Sequence, residues 1–377
     1  MTAHLFTPIE VGGLTFPNRI AVAPMCQYSA TDGTASDWHM QHWMTLAMSG
    51  AGSVTVEATA VERRGRITHG CLGIYSDDNE AAARRTLDAA RRVAPQATQF
   101  GMQLAHAGRK ASTKAPWEGG APLAPEEDAW QTVAPSAIPF AEGWHVPTPL
   151  DEAGIERVVE AFVTAARRAE RAGFDFVELH GAHGYLMHEF LSPFSNQRSD
   201  RWGGSLENRM RLILTVAKAV REALPERIML GARLSVTEWA DGGFSIDEAV
   251  EVARALKDAG VAFICASSGG NWAKAQASIP QTPGFLVPYA ERIRREAGIV
   301  TRAVGLITTP EQADAIVAEG RADIVALARA MLADPRWPWR AAAALGGPIV
   351  TPPQYARSAP TMQQWVAATA AESRTAA

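Results

Sequence analysis

The chain has 377 residues, 47% of them hydrophobic and 20% charged, with a formal net charge of −4. That apolar fraction supplies an ordinary globular core and excludes disorder over most of the chain, and no run approaches the roughly 18 consecutive apolar residues of a membrane span. The mixed, mildly acidic charge pattern gives no handle for nucleic acid.

Cys26, Cys71 and Cys265 are far apart and form no CxxC pair. This argues against a disulfide framework, a zinc site or an iron–sulfur cluster, and suits a reducing cytoplasm. The start, MTAHLFTPIEVGG, lacks the basic-then-apolar layout of a secretory signal.

Along the chain, a junction of amphipathic helix, glycine and short apolar run recurs at Ala51–Thr59, Ala172–His180, Ala259–Ser268 and Glu319–Arg329. Glycine ends a helix in the left-handed conformation without a Cβ penalty. The apolar run after it has the pattern of a parallel strand covered on both faces. Strands are predicted at Ile20–Pro24, Ser53–Ala58, Ala97–Leu104, Phe174–Leu179, Arg227–Leu234, Ala262–Ala266, Val300–Val304 and Asp323–Ala328.

A helical pattern follows each strand. Asp151 caps a helix with Ile155, Val158 and Phe162 on one face; Ser245 and Glu248 form a capping box; Thr309-Pro310 opens another helix; the last covers roughly Pro335–Leu345. Eight βα units averaging about 47 residues fit a (β/α)8 barrel, the TIM barrel, with insertions. The rival, an open doubly wound sheet, would want a GxGxxG turn, which is missing here. Residues 1–350 are therefore read as one barrel with a cap insertion over Ala111–Pro149, whose Trp117, Trp130 and Trp144 are expected to pack over a barrel end. Residues 351–377 are read as a tail whose last ten residues fray.

In such a barrel the active site is built at the C-terminal ends of the strands. That rim carries Met25-Cys26-Gln27-Tyr28, Ala58-Thr59, Gln103, His106, Arg109, Lys110, His180, His183, Tyr185, Arg233, Ser267-Ser268-Gly269, Gly305 and Arg329. It is rich in cations and hydrogen-bond donors and shows no nucleophile–base pair. This suits an anionic, polyfunctional ligand and chemistry supplied by a cofactor. Two loop histidines three apart could also begin a metal site, but no third ligand has sensible spacing.

The segment HGAHGYLMHEFLSPFSNQRSDRWGGSLENRMR, His180–Arg211, strongly resembles the signature of the Old Yellow Enzyme family, flavin-dependent ene-reductases built on a (β/α)8 barrel. APMCQYSA (Ala23–Ala30), VEATAV (Val56–Val61), QLAHAGRKA (Gln103–Ala111) and RADIVALARAMLADPRW (Arg321–Trp337) resemble it as well, so the likeness runs from Leu5 to Arg357. Cys26, Tyr28 and the tail QYAR, Gln354–Arg357, are most similar to the bacterial branch sometimes called thermophilic-like.

The resemblance implies non-covalent FMN, NADPH or NADH as reductant, and ping-pong hydride transfer through flavin N5 to α,β-unsaturated carbonyl or nitro compounds. It makes His180 and His183 the donors to a substrate carbonyl, Tyr185 the proton donor, and Tyr28 a second phenol holding substrate. It sets Cys26 beside the flavin, Gln103 on its N3–O2 edge, Arg233 near N1 and Arg329 on the phosphate. Main-chain groups at Pro24, Met25, Ala58, Gly305 and Ala328 complete the cradle.

Arg357 would reach a neighbouring subunit's site in a homodimer or homotetramer. Lys110 and Arg109 are left between substrate contact and cap support, and Val304 is expected to shape the pocket with the cap. One departure stands out: Ala328 occupies a place where the family commonly has glycine.

Other readings differ in what they require. Cluster-bearing relatives acting on dienoyl-CoA or trimethylamine would need more cysteines and a longer chain. A redox sensor acting through Cys26 would need an output domain, and a barrel isomerase using His183 and Tyr185 would need no flavin.

Overall fold

The computed structural model describes residues 3–364, so the expected fraying of the last ten residues lies outside them. Eight strands pair in parallel and close into a barrel: β1 (Ile20–Val22), β2 (Ser53–Ala60), β3 (Gln99–Ala105), β4 (Phe176–Gly181), β5 (Met229–Ser235), β6 (Phe263–Ser267), β7 (Val300–Ala303) and β8 (Ile324–Leu327). Closure is direct, with Val325 opposite Ile20 and Leu327 opposite Val22.

The outer ring is α1 (Asp37–Ala47), α2 (Asp77–Val93), α3 (Glu152–Ala172), α4 (Arg211–Ala223), α5 (Ile246–Asp258), α6 (Val287–Ala297), α7 (Pro310–Ala318) and α8 (Trp337–Leu345). The caps form as the sequence predicts: Asp151 accepts from Gly154 N–H, Ser245 from Glu248 N–H and Thr309 from Gln312 N–H.

The eight predicted strands match those observed to within two residues at either end. Gly173, Gly260 and Gly320 take the left-handed conformation expected after a helix. The first junction differs. There Gly50 is left-handed, whereas Gly52 is held close to Asn18, whose carbonyl would lie 2.5 Å from a Cβ at position 52.

The barrel interior fills in layers, because alternate residues of each strand face inward. Phe176 and Phe263 form the floor with ring centroids 6.0 Å apart, and Phe16, from a hairpin of Ile9–Val11 and Leu14–Phe16, meets Phe176 edge-on at 6.3 Å. Glycines make room for the rings. A Cβ on Gly231 would sit 2.1 Å from the Phe263 ring, and one on Gly101 would sit 1.9 Å from Phe176. Gly231→Ala is therefore expected to cost about 1–3 kcal/mol through overpacking. A lowered melting temperature would show it, and an unchanged one would contradict this packing.

The cap is held by short turns and a parallel pair of Val133–Ala134 with Thr148–Pro149. Trp130 packs as expected: its Nε1–H donates to Arg64 O at 2.9 Å and its ring lies 5.3 Å from the Arg66 guanidinium. Trp144 meets Phe140 edge-on. Trp117 corrects the expectation. It is 69% exposed, meets Tyr28 edge-on with ring centroids 5.7 Å apart, and is followed by left-handed Gly119 and Gly120. Among the described residues no helix is long and apolar enough to cross a membrane, and no cluster of His, Cys, Asp and Glu could hold a metal ion.

Candidate active site

The site is built from the loops at the C-terminal ends of the strands. After β1, the chain from Pro24 to Tyr28 is fixed from below by Glu57, which stands in a register irregularity of β2 between Val56 and Ala58. Gln27 N–H donates to Glu57 Oε2 at 2.9 Å, and buried His39 Nε2 lies 3.2 Å from Glu57 Oε1. His39 Nδ1 accepts from Ser36 N–H, so its proton sits on Nε2, facing the carboxylate.

This scaffold carries Met25, Cys26 and Tyr28. Loss of hydration pushes the Cys26 thiol up, reinforced by nearby Cys71 and Glu57, so it stays a thiol at neutral pH. A thiol of that kind is a poor nucleophile.

His180, at the end of β4, and His183 and Tyr185, in the loop after it, form a compact group. The His180 ring centroid lies 5.0 Å from that of His183 and 5.0 Å from that of Tyr185, both edge-on. Burial, with Arg233 beside them, pulls both histidines well below the ordinary value, so both are neutral. His180 Nδ1 accepts from Ala182 N–H at 3.3 Å, which puts its proton on Nε2. His183 Nε2 lies 2.7 Å from Ser267 Oγ, which also accepts from Arg233 Nη2 at 3.3 Å. With Arg233 donating to Ser267 Oγ, the hydroxyl proton is free to point at His183 Nε2, the arrangement that leaves the His183 proton on Nδ1. Each neutral imidazole therefore presents one N–H.

His183 has φ +62°, a left-handed backbone uncommon for a non-glycine residue. Three contacts impose it. Its N–H donates to Ser235 Oγ, its carbonyl accepts from Lys110 Nζ at 2.8 Å, and Gly270 packs so tightly that a Cβ there would lie 2.5 Å from His183 O.

Lys110 also donates to Gly270 O at 2.8 Å, and burial with neighbouring Arg109 pulls it down to about 8. Arg109 donates to Ile138 O, Asn271 O and Asn271 Oδ1. The alternatives left open by the sequence thus divide. Arg109 ties the cap to the loop after β6, whereas Lys110 holds the His183 backbone, its Nζ 4.7 Å from the ring centroid of Phe140 in the cap and 5.2 Å from that of Tyr185.

Beside the histidines a cleft of about 200 Å³ opens along β7 and β8, lined by Arg233, Ser267, Val304, Gly305, Ala328 and Arg329 among others. Gly305 has φ +109°, and a Cβ there would crowd the Leu286 amide at 3.1 Å. Ala328 has φ −113° and ψ −87°, so its methyl group needs no left-handed backbone. Arg329 is exposed at the cleft's edge. Arg233 is buried with Nε lacking any partner among the described residues, an orphaned cationic donor beside an open cleft. Gln103 is buried, and its Nε2 donates to Glu178 Oε1 at 2.7 Å, leaving its carbonyl oxygen as acceptor.

The structure thus gathers His180, His183, Tyr185, Arg233, Gly305, Ala328 and Arg329 on one face of the barrel, with Cys26 and Tyr28 on the loop after β1. It does not bring Arg357 to them: that residue is exposed in the tail, where Tyr355 packs on Trp339. His106 turns away to Glu62 at 2.8 Å. Sequence reasoning missed Glu57, His39, Ser267 as a bridge, and Glu178. A carboxylate inside an apolar strand, as in VEAT or VELH, was the available signal, since such a charge stays buried only when partnered.

Comparison with known proteins agrees with this architecture. The model of the NADH:flavin oxidoreductase / NADH oxidase family matches residues 4–346. An NADPH dehydrogenase of Geobacillus sp. (strain WCH70) is 44% identical over 359 residues, covering 95% of this chain and 99% of the relative. Morphinone reductase superposes with a TM-score of 0.75 at 29% identity, over 94% of this chain and 93% of that one. The Old Yellow Enzyme homologue from Zymomonas mobilis does so with 0.72 at 28% identity, over 89% and 91%. The chain belongs to the NADH:flavin oxidoreductase / NADH oxidase family, the Old Yellow Enzyme group of FMN-dependent barrel enzymes.

Proposed function

We propose that this FMN-dependent NAD(P)H oxidoreductase reduces the activated C=C bond of α,β-unsaturated carbonyl compounds, and of nitroalkenes of like polarity. The observation that carries the reading is the group of two neutral imidazole donors and one protonated phenol, with the His183 and Tyr185 rings each 5.0 Å from that of His180, beside a cleft into which a buried arginine brings an Nε–H without a partner among the described residues.

FMN fits the residues present. The orphaned Arg233 Nε suits the electron-rich pyrimidine edge, the Gln103 carbonyl suits an imide N–H, and the glycine-narrowed cleft leads to Arg329, a guanidinium suited to phosphate. When bound, FMN supplies hydride chemistry between NAD(P)H and the alkene. Pro24, Met25, Cys26 and Ala58 would flank it from the loops after β1 and β2.

The protein's own groups do the rest. His180 Nε2–H and His183 Nδ1–H hold the carbonyl oxygen and stabilise the negative charge that grows on it, which fixed donors in a dry site do well. Tyr185, whose phenol burial pushes well above 10, keeps its proton at any working pH and delivers it to the α-carbon. Tyr28 adds a second phenol at the mouth. A neighbouring subunit's Arg357 would complete the pocket in a homodimer or homotetramer.

The shifts give a pH profile. With the histidines lowered and the tyrosine raised, neither titrates between 6.5 and 10, their ordinary values. Lys110 loses a proton near 8 yet keeps two N–H donors for its two carbonyl acceptors. The rate of alkene reduction at saturating substrate is therefore expected to be flat across that window. A bend near 6.5 or near 10 in stopped-flow traces would contradict the protonation states assigned here.

The reaction itself is tested without oxygen by incubating enzyme, NADPH and 2-cyclohexenone and counting products by gas chromatography. The reading expects one cyclohexanone per NADPH consumed, parallel double-reciprocal lines, and inhibition by excess of either substrate. NADPH oxidation without cyclohexanone would overturn the alkene assignment and leave the oxidoreductase.

A further inference from the structure

The inward-facing layer between the aromatic floor and the histidines is charged. Register pairs Gln103 of β3 with Glu178 of β4; Arg233 of β5, opposite His180, stands two residues beyond Gly231, the partner of Glu178, and so on the same face one step nearer the mouth, and Arg302 enters from β7. Glu178 is 1% exposed; Oε1 accepts from Gln103 Nε2 at 2.7 Å and Oε2 lies 4.0 Å from Arg302 Nη1. Arg302 is 2% exposed, sits 3.8 Å above the Phe263 ring, and bonds Thr55 Oγ1, while its Nε and Nη2 have no partner among the described residues. Both guanidiniums stay charged in a protein interior. One carboxylate thus stands against two buried cations, and the same carboxylate sets which way the Gln103 amide faces.

We propose that Glu178 is a positioning residue for the flavin: it orients the Gln103 amide and sets the net charge beneath the flavin's pyrimidine edge, with Arg302 as its anchor. This rests on FMN lying against Gln103 and Arg233. The ionised carboxylate leaves the layer one positive charge; without it the layer carries two. A more positive layer favours reduced flavin, which bears more negative charge, over oxidised flavin. Burial pushes Glu178 up, while Arg233 and Arg302 pull it down.

The test uses the FMN-loaded enzyme with neither NADPH nor alkene: its midpoint potential against a reference dye, and FMN affinity by fluorescence. Glu178→Gln keeps an acceptor for Gln103 but removes the charge. It is expected to raise the potential and to favour reduced over oxidised FMN on the order of tenfold. Arg302→Met is expected to lower the potential, because Arg233 keeps Glu178 ionised. The double variant Glu178→Leu/Arg302→Met removes opposite charges and the acceptor together, so the potential returns toward wild type while oxidised FMN binds more weakly.

A potential unmoved by both Glu178→Gln and Arg302→Met overturns the proposal. If Glu178→Gln does not fold, Arg302→Met decides alone: a lowered potential supports the proposal and an unchanged one overturns it. Arg233→Met separates the two levels. If it shifts the potential and the Glu178 and Arg302 variants do not, only this inference fails; if it shifts nothing either, the flavin placement fails as well.

Discussion

Replacing Tyr185 by phenylalanine is expected to slow alkene reduction by about 10²–10⁴-fold, the usual contribution of a positioned general acid. Reduction of the enzyme by NADPH should change far less, because no proton is delivered to carbon in that half-reaction. The ring survives the substitution. Its edge contact with His180 at 5.0 Å and its place 5.2 Å from Lys110 Nζ need no hydroxyl, so the loop keeps its shape. The change is therefore read as loss of a proton. Anaerobic stopped-flow measurement of each half-reaction separates the two, and equal slowing of both would remove Tyr185 from the role of acid.

The second large effect belongs to the histidine pair. Removing both N–H donors, as in His180→Ala with His183→Ala, is expected to cost alkene reduction about 10²–10³-fold or more, as for loss of an oxyanion-type donor. His183 allows a finer test because it combines a donor with a left-handed backbone at φ +62°. Asparagine carries an N–H donor and tolerates that conformation better than alanine does. His183→Asn is thus expected to retain much of the rate that His183→Ala loses. Equal rates for the two variants would mean that the His183 side chain acts only as packing.

Much of the barrel was legible because its strands are buried on both faces and its helices carry explicit caps. Asp151, Ser245 and Thr309 each hold the amide that the sequence assigns them. The rim residues were legible for the same reason, since strand ends locate the mouth.

What sequence could not give was direction. Arg109 and Lys110 are adjacent and equally cationic, yet one spans to Asn271 and the cap while the other holds the His183 carbonyl; that choice depends on loops distant in the chain. The tryptophan content of the cap suggested burial throughout, but Trp117 stands exposed just before two left-handed glycines. Glu57 and Glu178 were passed over because their partners, His39, Gln103 and Arg302, come from other strands and helices. Ala328 was legible as a departure from the glycine common at that place, and with φ −113° the backbone there does not require one.

The most direct check is a single turnover without oxygen. The FMN-loaded enzyme is bleached with one equivalent of NADPH, then mixed with 2-cyclohexenone while the flavin absorbance is followed. The yellow colour is expected to return in full with one cyclohexanone formed per flavin; a protein that stays bleached in the presence of the enone would not be an alkene reductase.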